Sequence, residues 1–239
     1  MEKQVEKWRS PSLGKNMELR TYGEAGTPVL AIPTRGKGAK QWEEKGMVEA
    51  ISFQLENGYN QLFCIESADE ESFFNTSISP AQRIIRQIQY ESYIIEEVVP
   101  KIEEKSAIDF LIIAGVDMGG YHAINLGLKH PKSFGKAIGI SGVYDITPFM
   151  DDYYDENIYY NNPVDYVPNL NNEKLLEQVR QVDFRLVSYV NDPRKELAYR
   201  LDEIFKTKMM EHELDVWQMQ TDEEKEWEIW KQMFKIHIV

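Results

Sequence analysis

The sequence predicts an α/β protein with a mostly parallel central sheet and helices on both faces of that sheet. Two observations support this class: short, continuously apolar runs typical of buried strands, and longer segments of helical period that alternate with them. A third observation concerns domain organisation. No internal repeat and no Gly/Ser/Pro-rich linker divides the 239 residues, so we expect a single domain over 1–239.

Six short runs are predicted as strands, because strands buried on both faces have few polar residues. The first, 29–32, ends at Pro33, and the most apolar one is 110–114. In chain order the predicted strands are 29–32, 62–65, 110–114, 136–141, 185–190 and 214–217.

Five further segments are predicted as helices, four of them between these strands and one after the last. In 47–57 the apolar residues share one helical face and Gly58 is a natural stop, and 80–105 has the same periodicity over a greater length. The predicted helices are 47–57, 80–105, 118–129, 197–209 and 227–234, and the apolar residues expected to face inward from the second are Ile84, Ile85, Ile88, Ile95, Val98 and Val99.

Two segments fall outside this alternation. Residues 1–16 are interpreted as an N-terminal extension, and the Tyr/Asn-rich stretch 145–172 as a cap-like insertion. Aromatic side chains with polar tips suit a ligand pocket, although packing explains them equally well. The tyrosines concerned are Tyr153, Tyr154, Tyr159 and Tyr160.

Composition excludes several classes of protein. Lys and Arg total 27 against 40 Asp and Glu, a formal net charge of -13, so nucleic-acid and membrane-surface partners are not expected. The one cysteine, Cys64, excludes an intrachain disulfide and a cysteine-based zinc site. The acidic run 151–156 lacks the spaced glycine of a calcium loop, and the acidic run 222–228 is interpreted as a solvated helix face, so we expect no metal and no cofactor. The polar N-terminus lacks the apolar stretch of a signal peptide, so the expected location is cytoplasmic.

The turn after the third predicted strand carries the most information about function. A buried strand runs into Gly115, Asp117 and Gly119 and directly out into a helix. This is the pattern of the nucleophile elbow G-x-S-x-G, with Asp117 in place of the serine.

From these residues the chain resembles the esterase D-like branch of the α/β-hydrolases, the group that includes esterase D and the mycolyltransferases. The similarity extends from about Met17 to the C-terminus. The stretches that carry it are Pro33-Thr34, 46–50, 118–123, 140–145, 163–166 and 214–217. The resemblance implies an α/β-hydrolase fold and a hydrolase acting on carboxylic esters.

The resemblance also implies positions for the catalytic residues. Asp117 takes the place of the serine nucleophile, Asp192 matches the triad acid, and Lys225 falls where the triad histidine is expected. The oxyanion donors correspond to the backbone N–H of Met118 and to the loop near Arg35. Of the three triad positions, the acid alone keeps its residue type.

Two hypotheses about function follow. In the first, esterase catalysis is lost and the protein binds a small-molecule or protein ligand at the former active site or has a regulatory role. Asp117 then tolerates the elbow backbone and caps the following helix, and Arg35 and Lys37 are candidates to pair with it and close the site. In the second, Asp117 is the covalent nucleophile of a hydrolase of esters, halides or epoxides, with His237 as the candidate base. The sequence leaves the ligand and the oligomeric state open.

Overall fold

The computed structural model describes residues 3–222 and 225–238, and within them one eight-stranded sheet forms the centre of the fold. The strands are β1 Lys3–Arg9, β2 Asn16–Tyr22, β3 Thr27–Ile32, β4 Asn60–Ile65, β5 Ile112–Val116, β6 Lys136–Ile140, β7 Asp183–Tyr189 and β8 His212–Trp217. Their order in the sheet is β1-β2-β4-β3-β5-β6-β7-β8. The first two strands pair antiparallel, β2 pairs antiparallel with β4, and every later pairing is parallel. The predicted α/β class is confirmed.

Helices cover both faces of the sheet. The α-helices are α1 Gln41–Glu44, α2 Met47–Ala50, α3 Ser52–Glu56, α4 Pro80–Ser92, α5 Val99–Lys105, α6 Met118–Lys129, α7 Glu156–Tyr159, α8 Pro163–Tyr166, α9 Glu173–Val179, α10 Lys195–Lys208 and α11 Glu226–His237. Helices α1 to α3 and α11 pack on one face. Helices α4, α5, α6, α9 and α10 pack on the other. Each face therefore buries its own apolar core, as a doubly covered parallel sheet requires.

The two N-terminal strands were not predicted. Strand β1 lies at the sheet edge, and most of its side chains are exposed, so it has no apolar run. In β2 charged and polar side chains alternate with apolar ones, and the buried Arg20 pairs with Glu18. Antiparallel strands alternate in this way, whereas the prediction relied on continuous apolar runs.

The predicted helix 80–105 is observed as a continuous helical segment whose middle part is not α-helical. Its middle, Tyr93–Val98, is π-helical and ends just before Pro100, which has no backbone N–H to donate. The prediction that Ile85 faces inward is wrong, because Ile85 is 46% exposed while Ile84 is fully buried. Neighbouring residues of a helix point about 100° apart, and the step from Ile84 to Ile85 leads from the buried face of α4 to its exposed side.

The predicted helix 47–57 is two short helices separated by Ile51, and α9 was not predicted.

In the segment 145–172 the described structure is a series of short helical turns. Ile146, Met150 and Ile158 of this segment pack with Met118 and Tyr121 of α6 in a small third core. This segment therefore lies beside the start of α6.

No helix in the described part of the chain is long and apolar enough to cross a membrane.

Candidate functional site

The turn between β5 and α6 brings backbone segments into very close contact. A Cβ atom built on Gly115 would lie 2.0 Å from the carbonyl oxygen of Gly119, and one on Gly119 would lie 2.4 Å from the carbonyl oxygen of Ile32. Between these glycines, Asp117 has φ 55° and ψ -120°, a conformation rare for residues other than glycine. The turn thus has the sharp backbone expected of a nucleophile elbow.

The side chain of Asp117 contacts an arginine. Its Oδ1 accepts a hydrogen bond from Nη1 of Arg194 at 3.2 Å, and about a quarter of the side chain is exposed. The expected helix cap is not formed, because the carboxylate makes no side-chain capping hydrogen bond to α6. Arg194 lies between β7 and α10, 77 residues further along the chain.

Arg194 joins three carboxylates. Its Nε donates to Oδ1 of Asp192 at 3.0 Å and its Nη2 donates to Glu226. The guanidinium also lies 5.6 Å from the ring centroid of Trp230. We refer to Asp117, Asp192, Arg194 and Glu226 as the Arg194 cluster.

The carboxylates of Asp192 and Glu226 are held by further hydrogen bonds. Asp192 accepts from the hydroxyl of Ser188 at 2.9 Å and from the backbone N–H of Arg194 at 2.9 Å. The carboxylate of Glu226 accepts from the hydroxyl of Tyr189. Because Ser188 and Tyr189 belong to β7, the sheet itself orients both acids.

Burial and charge act against each other in this cluster. Burial raises the pKa of Asp117, and the Arg194 charge and the backbone N–H of Met118 oppose this rise without reversing it. For Arg194, burial disfavours the cation, but the charges of Asp192, Glu226 and Asp117 prevail and raise its pKa. The guanidinium is therefore a permanent positive charge at the centre of the cluster.

The structure brings some of the predicted residues together and separates others. Asp192 joins Asp117 in the Arg194 cluster. Lys225 does not: its side chain is 70% exposed and pairs with Asp222 at 3.0 Å. The next residue, Glu226, is buried at the start of α11 and reaches Arg194 instead. The acidic run 222–228 was interpreted as a solvated surface, and nothing in it marked Glu226 as the inward-facing residue.

The arginine of the expected oxyanion loop pairs with a different carboxylate from the one considered in the sequence analysis. Arg35 pairs with Glu70 at 3.0 Å and lies over the ring of Phe74 at 3.6 Å, so the pairing with Asp117 considered from the sequence is not formed. Lys37 lies in a turn, where its carbonyl accepts from the backbone N–H of Ser67 at 2.9 Å. Met118 is buried, with its N–H next to the carboxylate of Asp117. The basic partner of Asp117 is Arg194, which no motif in the sequence identified.

The four histidines all bind carboxylates elsewhere. His237, the candidate base, bonds to Asp215 through Nε2 at 3.0 Å, and burial lowers its pKa despite that partner. The other pairs are His122–Asp69 at 2.7 Å, His130–Glu91 at 2.7 Å and His212–Asp202 at 3.1 Å. Within residues 3–222 and 225–238, no imidazole hydrogen-bonds to Asp117.

The raised pKa of Asp117 predicts a pH-dependent gain from neutralising this residue. A carboxyl whose pKa is higher in the folded than in the unfolded protein stabilises the fold at low pH, and this contribution is lost as pH rises through the folded pKa. We therefore expect Asp117→Asn to be more stable than the wild type at pH 7, with a difference that shrinks towards pH 4. Urea unfolding at several pH values measures this difference. Asp109→Asn, at an exposed position, is the control, and an Asp117→Asn protein less stable than wild type at pH 7 would contradict the expectation.

Three solved structures illustrate the fold similarity. A ferulic acid esterase superposes with a TM-score of 0.77 at 16% identity, covering 99% of this chain and 96% of that one. FphF, a fluorophosphonate-binding serine hydrolase of Staphylococcus aureus, superposes with a TM-score of 0.75 at 15% identity, covering 99% and 96%. An S-formylglutathione hydrolase from Agrobacterium tumefaciens gives 0.75 at 14% identity, covering 99% and 92%. At these identities the similarity concerns the fold alone.

Comparison at the level of sequence families is more specific. No curated protein sequence matches the chain significantly. The family model described as "Putative esterase" matches residues 35–237, which include the elbow and the whole Arg194 cluster. The chain therefore belongs to this esterase family of the α/β-hydrolase fold.

Proposed function

We propose that this member of the esterase family has lost Ser-His-Asp catalysis and acts as a binding or regulatory protein. The observation that supports the proposal is the contact between Asp117 and Arg194 at the elbow. The side chain in contact with Asp117, at the nucleophile position, is therefore the cation of Arg194. An ester hydrolase needs a base in contact with its nucleophile.

The chemistry of the two side chains supports this proposal. A serine nucleophile loses its proton to a neutral imidazole during attack, but a guanidinium carries no free lone pair and cannot accept a proton. The carboxylate of Asp117 also lies beside the N–H of Met118, the group that would stabilise a reaction oxyanion. A resident negative charge there competes with the charge that develops in the transition state.

An assay with short-chain nitrophenyl esters tests the proposal. We expect the wild type and Asp117→Ala to show the same rate, equal to the background without protein. Asp109→Ala, at an exposed position, controls for nonspecific hydrolysis by surface groups. Turnover above background that disappears in Asp117→Ala would refute the loss of catalysis.

The alternative, with Asp117 as covalent nucleophile, requires a base to release the alkyl-enzyme ester. In this mechanism a carboxylate oxygen displaces the leaving group, and activated water then hydrolyses the ester. His237 is engaged by Asp215 and makes no hydrogen bond to Asp117. The signature of this mechanism would be an alkylated Asp117 peptide, detected by mass spectrometry in His237→Gln after treatment with a haloalkane or an epoxide.

A further inference from the structure

A groove lies at the end of the sheet opposite the elbow. It has a volume of about 400 Å³ and runs between the turn that joins β2 to β3 and the residues that link α3 to β4. These residues precede β3 and β4, whereas the elbow packs on Ile32, the last residue of β3. Strand β3 has six residues, so its length of about 20 Å separates the groove from the elbow. The groove is therefore a surface distinct from the Arg194 cluster.

Glycine residues leave the groove open. Gly23 and Gly58 lie on its two sides with φ of +85° and +68°, values that favour glycine over residues with a side chain. A Cβ built on Gly23 would lie 3.5 Å from Cδ2 of Leu55, a buried side chain that also lines the groove. The groove thus offers glycine backbone and leucine surface to a group that enters it.

Two exposed aromatic rings stand beside the groove. Phe53 belongs to α3 and Tyr59 directly follows Gly58, and their ring centroids are 6.0 Å apart. Phe53 is 62% exposed and Tyr59 is 60% exposed. Single exposed apolar residues are common on protein surfaces, whereas adjoining ones beside a groove are typical of an interaction site.

Carboxylates give this surface a negative charge. Glu24 and Glu56 line the groove and are exposed. Among the described residues, neither side chain has a hydrogen-bond or ion-pair partner. A complementary partner therefore carries positive charge at this position. We refer to Glu24, Phe53, Leu55, Glu56 and Tyr59 as the aromatic groove.

The chemistry of the aromatic groove matches the side chain of an arginine or a lysine. The aliphatic part of such a side chain covers apolar surface, while its cation lies over an aromatic ring or beside a carboxylate. Because both rings lie on the open surface, they do not enclose a small molecule, whereas a polypeptide segment can cover them together with the groove.

Charge argues against a second copy of this chain as the partner. A two-fold interface would place Glu24 and Glu56 against the same acidic surface of the other copy. The net charge of -13 on each copy adds to this repulsion.

We propose that the aromatic groove is a docking surface for a basic polypeptide segment of a partner protein. An arginine or lysine side chain of the segment lies on Phe53 and Tyr59 and pairs with Glu24 or Glu56. This surface is remote from the elbow, so the proposal does not depend on the loss of esterase catalysis.

Selection from a phage-displayed library of random dodecapeptides tests the proposal, with the full chain as the target. Peptides that bind the wild type are counter-selected against Phe53→Ser/Tyr59→Ser, which lacks both rings. We expect the remaining peptides to contain arginine or lysine. Synthesised, they should bind this double variant at least about tenfold more weakly than the wild type, because exposed aromatic anchors supply much of the binding energy at such surfaces. Tyr199→Ser, which removes a 41% exposed ring on α10, should bind them as the wild type does.

A second pair of variants tests the charge of the aromatic groove. Glu24→Gln/Glu56→Gln should weaken binding of the same peptides by about three- to tenfold at about 0.15 M salt. Glu177→Gln/Glu196→Gln removes the same charge from exposed positions on α9 and α10, which pack on the other face of the sheet. It should change the affinity by less than about twofold, because charges farther away than the screening length have little effect.

Four results would overturn the proposal. They are the absence of any peptide that depends on Phe53 and Tyr59, remaining peptides without arginine or lysine, equal weakening in the two glutamine variants, and a wild type that sediments as a dimer which Phe53→Ser/Tyr59→Ser dissociates. The last result would identify a second copy as the occupant. If Phe53→Ser/Tyr59→Ser does not fold, Glu24→Lys/Glu56→Lys replaces it in the counter-selection, with the same expected and contrary results.

Discussion

Replacing Arg194 with methionine should lower the free energy of unfolding at pH 7 by about 3 kcal/mol. Methionine is long enough to fill much of the space of the arginine but carries no charge. The substitution leaves the carboxylates of Asp117, Asp192 and Glu226 together without a cation, and Asp192 and Glu226 are buried. Removing one partner of a buried ion pair has a large effect because the remaining charge is neither hydrated nor neutralised.

Chemical denaturation of the wild type and Arg194→Met measures this loss. Arg200→Met is the matched control, since it also removes an arginine bonded to two carboxylates but at a half-exposed position, and we expect a loss of about 1 kcal/mol or less. Arg194→Lys should be intermediate, because an ammonium keeps the charge but cannot reach three acceptors in one plane. Equal losses in Arg194→Met and Arg200→Met would show that the Arg194 cluster has no special energetic role.

Gly119→Ala should be at least as destabilising, with an expected loss of about 3 kcal/mol or more. The added Cβ would lie 2.4 Å from the carbonyl oxygen of Ile32 and 2.6 Å from that of Pro33. Both are backbone atoms, one in the last residue of β3 and one in the residue after it, so the clash cannot be relieved by rotating a side chain. Either α6 or β3 would have to move.

Gly38→Ala is the control for this substitution, because a Cβ there has no heavy atom within 4 Å. Its free energy of unfolding should change by about 0.5 kcal/mol or less. Thermal unfolding and the yield of soluble protein compare the two variants. A Gly119→Ala protein as stable as Gly38→Ala would mean that the elbow is not held against β3 as described.

The parallel part of the fold could be predicted because its signal is local. Strands β3, β5 and β6 are buried on both faces, and each appears in the sequence as a short apolar run. Helix α6 was predicted with its observed limits, since a glycine-flanked turn precedes it. Strand β1 has no such apolar run, because it is held in the sheet by its pairing with β2 and not by burial of its own side chains.

The candidate site likewise contains residues that could be predicted from the sequence and residues that could not. The sequence singled out Asp117 through the elbow pattern, and Asp192 through the family resemblance, which places the triad acid after this strand. Arg194 is two residues beyond Asp192, yet its reach to Asp117 depends on β7 lying beside β6 and β6 beside β5. Lys225 and Glu226 are neighbours in sequence, but at the start of α11 it is the side chain of Glu226, and not that of Lys225, that reaches Arg194.

The sequence by itself determined the α/β class, the esterase family and the replacement of serine by aspartate at the elbow. These properties depend on residue types and on short spacings along the chain. Tertiary structure decided that Arg194 and Glu226 face Asp117 and that the four histidines bind other carboxylates. The physical reason is that ion pairing depends on distances across the folded sheet, and residues far apart in sequence become neighbours when the strands are assembled.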